Sequence, residues 1–129
     1  MRYLLDTHVL LWAASSPEKI PAAVRATLED PQNELVFSAA SFWEIAIKNS
    51  LKRPDFKVEM WILRRCLQDN EYIELPVTSD HAAFTQLLEK LHKDPFDRML
   101  IAQASMDDLI LLTADSQVAQ YSGPIQMIG

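Results

Sequence analysis

Four acidic residues stand where one local pattern of the chain gives way to another. Asp6 follows the short apolar run Tyr3-Leu4-Leu5, and Glu44 lies in the first turns of a helical stretch after Glu34–Phe37. Asp97 sits in the first turn of a helix opened by Asp94-Pro95, and Asp115 follows Leu109–Leu112 by a Thr-Ala step. Asp94 is a fifth acid close to this group. Carboxylates held a few ångströms apart raise one another's pKa, so assembling them is costly unless a cation offsets the charge. Mg²⁺ or Mn²⁺ suits oxygen donors of this kind, keeping several waters and leaving positions open for phosphate oxygens. One or two such ions orient and deprotonate water and stabilise in-line displacement at phosphorus. The chemistry implied is metal-dependent phosphodiester hydrolysis.

Each acid also has a plainer account. Asp6 and Asp94 fit helix caps, Asp115 fits a turn beside Ser116, and acids at helix N-termini are favoured by the dipole in any case. Ser41-x-x-Glu44 fits a capping box, and Glu44 with Lys48 an i,i+4 pair. Against this, Phe42, Trp43, Ile45, Ala46 and Ile47 surround Glu44. A helix apolar on all sides is expected to be buried, and a buried carboxylate needs a partner.

The elements that must position these acids alternate. Tyr3–Leu5, Glu34–Phe37, Tyr72–Leu75 and Leu109–Leu112 read as strands, with Ile125–Ile128 a candidate edge strand. Between them, helices are expected over His8–Ala14, Pro21–Glu29, Ser38–Asn49, Val58–Leu67, Ser79–Leu91, Phe96–Met106 and Ser116–Tyr121, with prolines marking the joints. Strands alternating with helices predict a three-layer α/β domain with a largely parallel central sheet. In such sheets ligands bind beyond the carboxyl ends of the strands, which is where the four acids fall.

The 129 residues suit one domain spanning 1–129. Eighteen acids against 12 Lys and Arg give a net charge of −6, which argues against a passive polycationic nucleic-acid binder but not against an enzyme that processes nucleic acid. Only Gly123 and Gly129 are glycines, so no glycine-rich loop exists to cradle a nucleotide phosphate, and P-loop and dinucleotide-binding classes are excluded. Cys66 is the single cysteine, which rules out an intrachain disulfide and points to a reducing, cytoplasmic setting. Asp6 and His8 interrupt the apolar N-terminal stretch that would otherwise imitate a signal peptide, and no later stretch is long enough to span a bilayer.

The segments Leu4-Leu5-Asp6-Thr7-His8, Ser38-Ala39-Ala40-Ser41-Phe42-Trp43-Glu44-Ile45, His92 to Ala104 (HKDPFDRMLIAQA) and Leu112-Thr113-Ala114-Asp115 resemble, in order and spacing, a PIN-domain ribonuclease, and more narrowly a VapC-type toxin of a toxin–antitoxin pair. The resemblance spans essentially the whole chain, and the D-P-F-D-R-x-L-I-A-Q-A stretch is its most specific part. It implies that Asp6, Glu44, Asp97 and Asp115 form the acidic quartet that binds Mg²⁺ or Mn²⁺ and activates water to cut RNA such as tRNA or rRNA. It further implies a parallel sheet of about five strands between helical layers, a homodimer, and a small antitoxin partner covering the active site.

Around these positions, Thr7, Ser38, Thr113 and Ser116 are placed to donate to carboxylates or to hold water, with capping an equal alternative. Arg98, a cation in a helix's first turn, needs compensation, from Asp94 or another acid or from a phosphate. His8, His81 and His92 show no ligand-pair spacing and read as surface or packing residues. Trp12, Trp43 and Trp61 read as core or dimer contacts, and Cys66 as a small buried hydrophobe. Lys48, Lys52, Arg53, Lys57, Arg64 and Arg65, against only Asp55 and Glu59, form a basic stretch that is either a solvated face or a guide for an RNA backbone.

Rivals from other classes fit less well. A signalling receiver domain needs an aspartate after its third strand, where this chain has Glu74-Leu75-Pro76, and a lysine after a later one. A haloacid-dehalogenase-like phosphatase needs a second aspartate where His8 stands. A non-catalytic interaction module with the same fold remains the principal alternative.

Overall fold

Alternate residues of each central strand are apolar on both sides of the pleat, the pattern of a sheet buried on two faces. The computed structural model, which describes all of residues 1–129, contains five strands: Arg2–Leu5 (β1), Glu34–Ser38 (β2), Ile73–Leu75 (β3), Ile110–Thr113 (β4) and Ile125–Met127 (β5). They form one sheet in the order β3-β2-β1-β4-β5, with every pair parallel. Seven helices flank it: Thr7–Ser15 (α1), Ala22–Glu29 (α2), Ala39–Ser50 (α3), Met60–Asp69 (α4), Ser79–Phe84 (α5), Pro95–Met106 (α6) and Ser116–Ala119 (α7).

Register explains the two cores. Leu4 pairs with Val36 on one side and Leu111 on the other, so all three side chains point to one face. There they meet Leu100, Ile101 and Ala104 of α6, Val118 of α7, Leu109 and Tyr121. Tyr3, Leu5, Leu35, Phe37 and Leu112 point the other way, against Val9 and Leu10 of α1, Val24 of α2, Ile45 of α3 and Leu63 and Leu67 of α4. The expected three-layer α/β architecture with a parallel sheet is therefore the observed one.

Five helices start on side-chain caps: α1, α3, α5 and α7, each after a strand, and α6; Thr78 caps α5 by accepting from the His81 N–H. Asp6 accepts from the Val9 N–H, Ser38 from Ala40, Asp94 from Phe96 and Asp97, and Asp115 from Gln117. Each bond satisfies a backbone donor that the helix itself leaves unpaired.

Several boundaries differ from expectation, for identifiable reasons. The helix expected to run from Ser79 to Leu91 ends at Phe84, followed by one 3₁₀ turn at Thr85–Leu87. The Arg98 guanidinium takes the carbonyls of Thr85 and Glu89 at 2.9 and 2.7 Å, and Thr85 is where a longer helix would have bonded its own backbone. The strand expected to begin at Tyr72 begins at Ile73, because the Tyr72 N–H turns back to the Leu67 carbonyl after Glu71 adopts a φ of 65°. The fourth strand starts at Ile110, since Leu109 bonds to the Ala104 carbonyl after Asp108 at φ 55°. The α4 helix is shifted two residues from its expected span, and α7 stops short of Tyr121.

Candidate active site

The chain runs from β1 outward to β2 and β3, then returns to the opposite side of β1 for β4 and β5. The direction of winding thus reverses between β1 and β4, and the crevice beyond their carboxyl ends is where such sheets bind ligands. Asp6 leaves β1 and Asp115 follows β4, one on each side of that reversal. The Asp6 N–H donates to the Leu112 carbonyl at 3.0 Å, which fixes the two strand ends together. Thr113 joins the acids: its hydroxyl donates to Asp6 Oδ2 and accepts the Asp115 N–H at 3.0 Å. Asp6 is buried, whereas Asp115 is exposed.

Glu44 lies in the second turn of α3. Its Oε1 accepts from the Thr7 hydroxyl at 2.6 Å, Thr7 shares a further bond with Ser41 at 3.0 Å, and Oε2 meets Lys48 Nζ at 3.3 Å. Thr7 is the residue after Asp6, so this contact brings Glu44 to the β1 end of the crevice. Asp97, at the third position of α6, has its Oδ2 3.0 Å from His92 Nε2. Thr7 and Thr113 therefore donate to carboxylates, as their positions suggested, while Ser38 caps α3 and bonds Gln103 Oε1 at 2.6 Å.

The electrostatics separate the acids from ordinary caps. Burial pushes the Asp6 carboxyl above its usual range despite the Thr113 and Val9 hydrogen bonds, and the nearby Asp115 charge adds to the rise. Burial likewise pushes Asp97 up to about 6, opposed by the His92 hydrogen bond and reinforced by Asp94 and Asp115. Asp115 is the smallest of the influences on each, after burial and the hydrogen bonds. A buried carboxyl that is raised by other carboxyls is suited to a cation, and the donors here are all oxygen, which suits a hard one. No three His, Cys, Asp or Glu side chains stand close enough together to hold one ion as they are oriented. Each carboxylate is instead engaged by a protein partner: Thr113 and the Val9 N–H at Asp6, Thr7 and Lys48 at Glu44, His92 at Asp97 and the Gln117 N–H at Asp115.

Some expectations are corrected or narrowed. The helix carrying Glu44 is not buried on all sides, since Trp43, Ala46 and Ile47 are exposed, although Glu44 itself is largely buried and has the expected partner in Lys48. Arg98 pairs with no acid; three neutral oxygens, the Thr85 and Glu89 carbonyls and the Tyr121 hydroxyl, compensate it. His92 packs its ring on Tyr121, with centroids 5.3 Å apart, as a packing residue would, and in addition contacts Asp97. Trp43 and Trp61 are 65% and 82% exposed, which removes the core alternative and leaves the dimer contact, and Cys66 is only half-buried. Trp43 instead stacks edge-on against Phe96, with ring centroids 5.2 Å apart.

His92, Tyr121 and Gln103 escaped the sequence reading. His92 lies two residues before the Asp94 cap, a position from which the chain bends back over the first turn of α6. That local signal was available. Tyr121 and Gln103 reach their partners across the fold, and no local pattern announces them.

Fold and site together define a doubly wound parallel α/β domain with Asp6 and Asp115 on either side of its switch point. The model of the PIN domain family matches residues 3–124, and the chain belongs to that family. PIN domains are in general nucleases. Among solved structures, the chain is similar over its full length to VapBC2 from Rickettsia felis bound to a promoter DNA fragment, with a TM-score of 0.74, 14% identity and 100% of both chains covered. It is also similar to a toxin–antitoxin complex from Klebsiella pneumoniae (TM-score 0.68, 18% identity, 98% of each chain). A third likeness is to VapBC-1 from nontypeable Haemophilus influenzae (0.66, 17%, 98% of each). No curated protein matches the chain.

Proposed function

We propose that the protein is a VapC-type toxin, a single-domain endoribonuclease dependent on Mg²⁺ or Mn²⁺, in which Asp6, Glu44, Asp97 and Asp115 form the metal-binding and catalytic site. The observation that carries this reading is the placement of Asp6 and Asp115 on either side of the switch point, joined through the Thr113 hydroxyl, with Glu44 brought beside Asp6 by Thr7. A bound Mg²⁺ or Mn²⁺ supplies charge neutralisation, an acidified water and stabilisation of the charge that develops at phosphorus. Asp6 and Asp115 are fixed relative to each other by Thr113 and by the Asp6–Leu112 backbone bond, so their separation is set by the sheet. Glu44, held by Thr7 beside Asp6, completes the shell or orients water.

The remaining parts of the reading concern partners. Lys52, Arg53 and Lys57 line a groove of about 490 Å³ with Asn49 and Phe56, and this is the surface on which an RNA such as tRNA or rRNA would lay its backbone. The toxin–antitoxin complexes among the structural neighbours support a small antitoxin as partner, and the exposed Trp43 and Trp61 suit contacts with that antitoxin or with a second copy in a homodimer. No helix is long and apolar enough to cross a membrane, in keeping with a cytoplasmic protein.

The test is cleavage of structured RNA by the purified protein with Mg²⁺ or Mn²⁺. Wild type should cut and lose activity with chelator, and Asp6→Asn and Asp115→Asn should be inactive while still folded. Unchanged cleavage by Asp6→Asn would overturn the assignment. One observation favours a second reading, a non-catalytic interaction module: every one of the four acids already has a protein partner and no three share an ion position. That reading requires that Mn²⁺ leave the melting temperature unmoved.

A further inference from the structure

His92 touches a site residue, and its other ring nitrogen is not free. Nδ1 lies 2.7 Å from the hydroxyl of Tyr121, a residue 4% exposed. That hydroxyl also receives the Arg98 Nη1 hydrogen at 3.0 Å and stands 3.3 Å from the His92 backbone N–H. A tyrosine hydroxyl has one hydrogen to give. With Arg98 fixed as a donor to it, that hydrogen goes to the His92 Nδ1 at 2.7 Å in preference to the His92 carbonyl at 3.4 Å. Nε2 must then carry the ring proton. The opposite face of the contact requires the same: an ionised Asp97 Oδ2 at 3.0 Å would repel a nitrogen lone pair there.

We propose that His92 is a positioning residue, locked by Arg98 and Tyr121 as its Nε2–H tautomer, whose hydrogen bond engages Oδ2 of Asp97 and thereby orients that carboxylate for a divalent cation. The proposal rests on the reading of Asp97 as a metal ligand. The three supports have separate origins. Arg98 is anchored by the carbonyls of Thr85 and Glu89, from the segment that ends the α5 region, and Tyr121 comes from beyond α7. Asp97 and Arg98 are adjacent on α6, so the loop is closed: Arg98 to Tyr121, Tyr121 to His92, His92 back to Asp97. A carboxylate oriented by one fixed donor loses less freedom on binding an ion, and partners of this kind commonly contribute about 10- to 100-fold to metal affinity.

The full chain is used for the test. First, ¹⁵N–¹H correlation spectra of the imidazoles at pH 8 report the tautomer directly, with or without metal. Wild-type His92 should show Nε2–H, and Tyr121→Phe should give a mixture. An Nδ1–H wild-type ring overturns the proposal. Second, Mn²⁺ affinity is read from the free-ion electron paramagnetic resonance signal. His92→Leu and Tyr121→Phe should bind Mn²⁺ about 10-fold or more weakly, and His92→Gln, which keeps a donor near the Nε2 position, should recover part of the loss. Asp97→Asn separates the two ideas. If Asp97→Asn weakens Mn²⁺ binding and His92→Leu and Tyr121→Phe do not, the positioning role fails and the site stands. If Asp97→Asn itself binds Mn²⁺ like wild type, the site reading falls and takes the positioning role with it.

Discussion

Replacing Asp97 by Asn should stabilise the metal-free protein, and only above a definable pH. The Asp97 carboxyl rises from 3.8 to about 6 on folding, chiefly through burial. Between those values the folded chain holds a proton that the unfolded chain has already released. Stability is therefore highest below the unfolded pKa and falls as pH rises through the folded one. A rise of this size corresponds to about 3 kcal/mol, at roughly 1.4 kcal/mol per pKa unit, and the side chain, 20% exposed, is shielded enough for most of it to be felt. Asn keeps an oxygen to accept the His92 hydrogen, and the weaker bond made by a neutral acceptor is already contained in the net rise, which His92 lowers. The expectation is therefore about 3 kcal/mol, or an increase on the order of 10 °C in Tm for a domain of this size. Calorimetric melts of both proteins in chelator from pH 4 to 8 measure it. The difference should be near zero at the acid end, grow through the window and level off above pH 6, while general acid effects cancel between the two proteins. Saturating Mn²⁺ should then raise wild type and leave the variant in place, closing the gap. A difference that is flat with pH, or a variant that melts lower than wild type at pH 7.5, would refute the reasoning.

Two further outcomes follow from other parts of the molecule. Lys52→Glu with Arg53→Glu should weaken RNA binding and reduce the log–log salt slope by about 1 to 2 without moving the metal-free Tm, as read by fluorescence anisotropy across salt concentrations. Gln103, fully buried, accepts from Ser38 and donates toward the Pro76 carbonyl at 3.3 Å, so Gln103→Leu should cost about 1 to 3 kcal/mol and lower the urea midpoint at constant slope.

The sheet and most helices were legible because their signals are local and redundant. Leu4, Val36 and Leu111 sit in short runs too brief for helices, and Asp6, Ser38 and Asp94 announce the helices they cap. The segment after Phe84 was not legible, since its helical continuation is broken by a guanidinium that arrives from Arg98. Placing Asp6 and Asp115 past the ends of β1 and β4 needed only the rule that parallel sheets carry ligands at their carboxyl ends. Their side-chain partners needed more. Glu44 is largely buried and partnered as predicted, but its helix is not buried all round: Trp43, Ala46 and Ile47 face outward, and whether an apolar side chain faces a core or a free surface is decided by the tertiary fold.

Capping and metal binding are usually weighed as competing accounts of an acid at a helix start, but here one supports the other. Asp6 caps α1, Asp115 caps α7 and Asp97 occupies the first turn of α6, so each carboxylate faces backbone N–H groups or the positive end of a helix. That placement lowers the cost of holding like charges together. Glu44, in the second turn of α3 and beyond the reach of that effect, is the acid given a lysine instead. The burial of Asp6 and Asp97 nonetheless leaves both carboxyls raised, so the hydrogen bonds offset the cost of burial only in part. Caps engage Oδ1 of Asp6 and of Asp115, Thr113 engages Oδ2 of Asp6, and the His92 bond engages Oδ2 of Asp97. A carboxylate has lone pairs enough to keep such a bond and accept another partner. The fold thus holds the acids in place without a cation while leaving unmet the charge that a cation would neutralise.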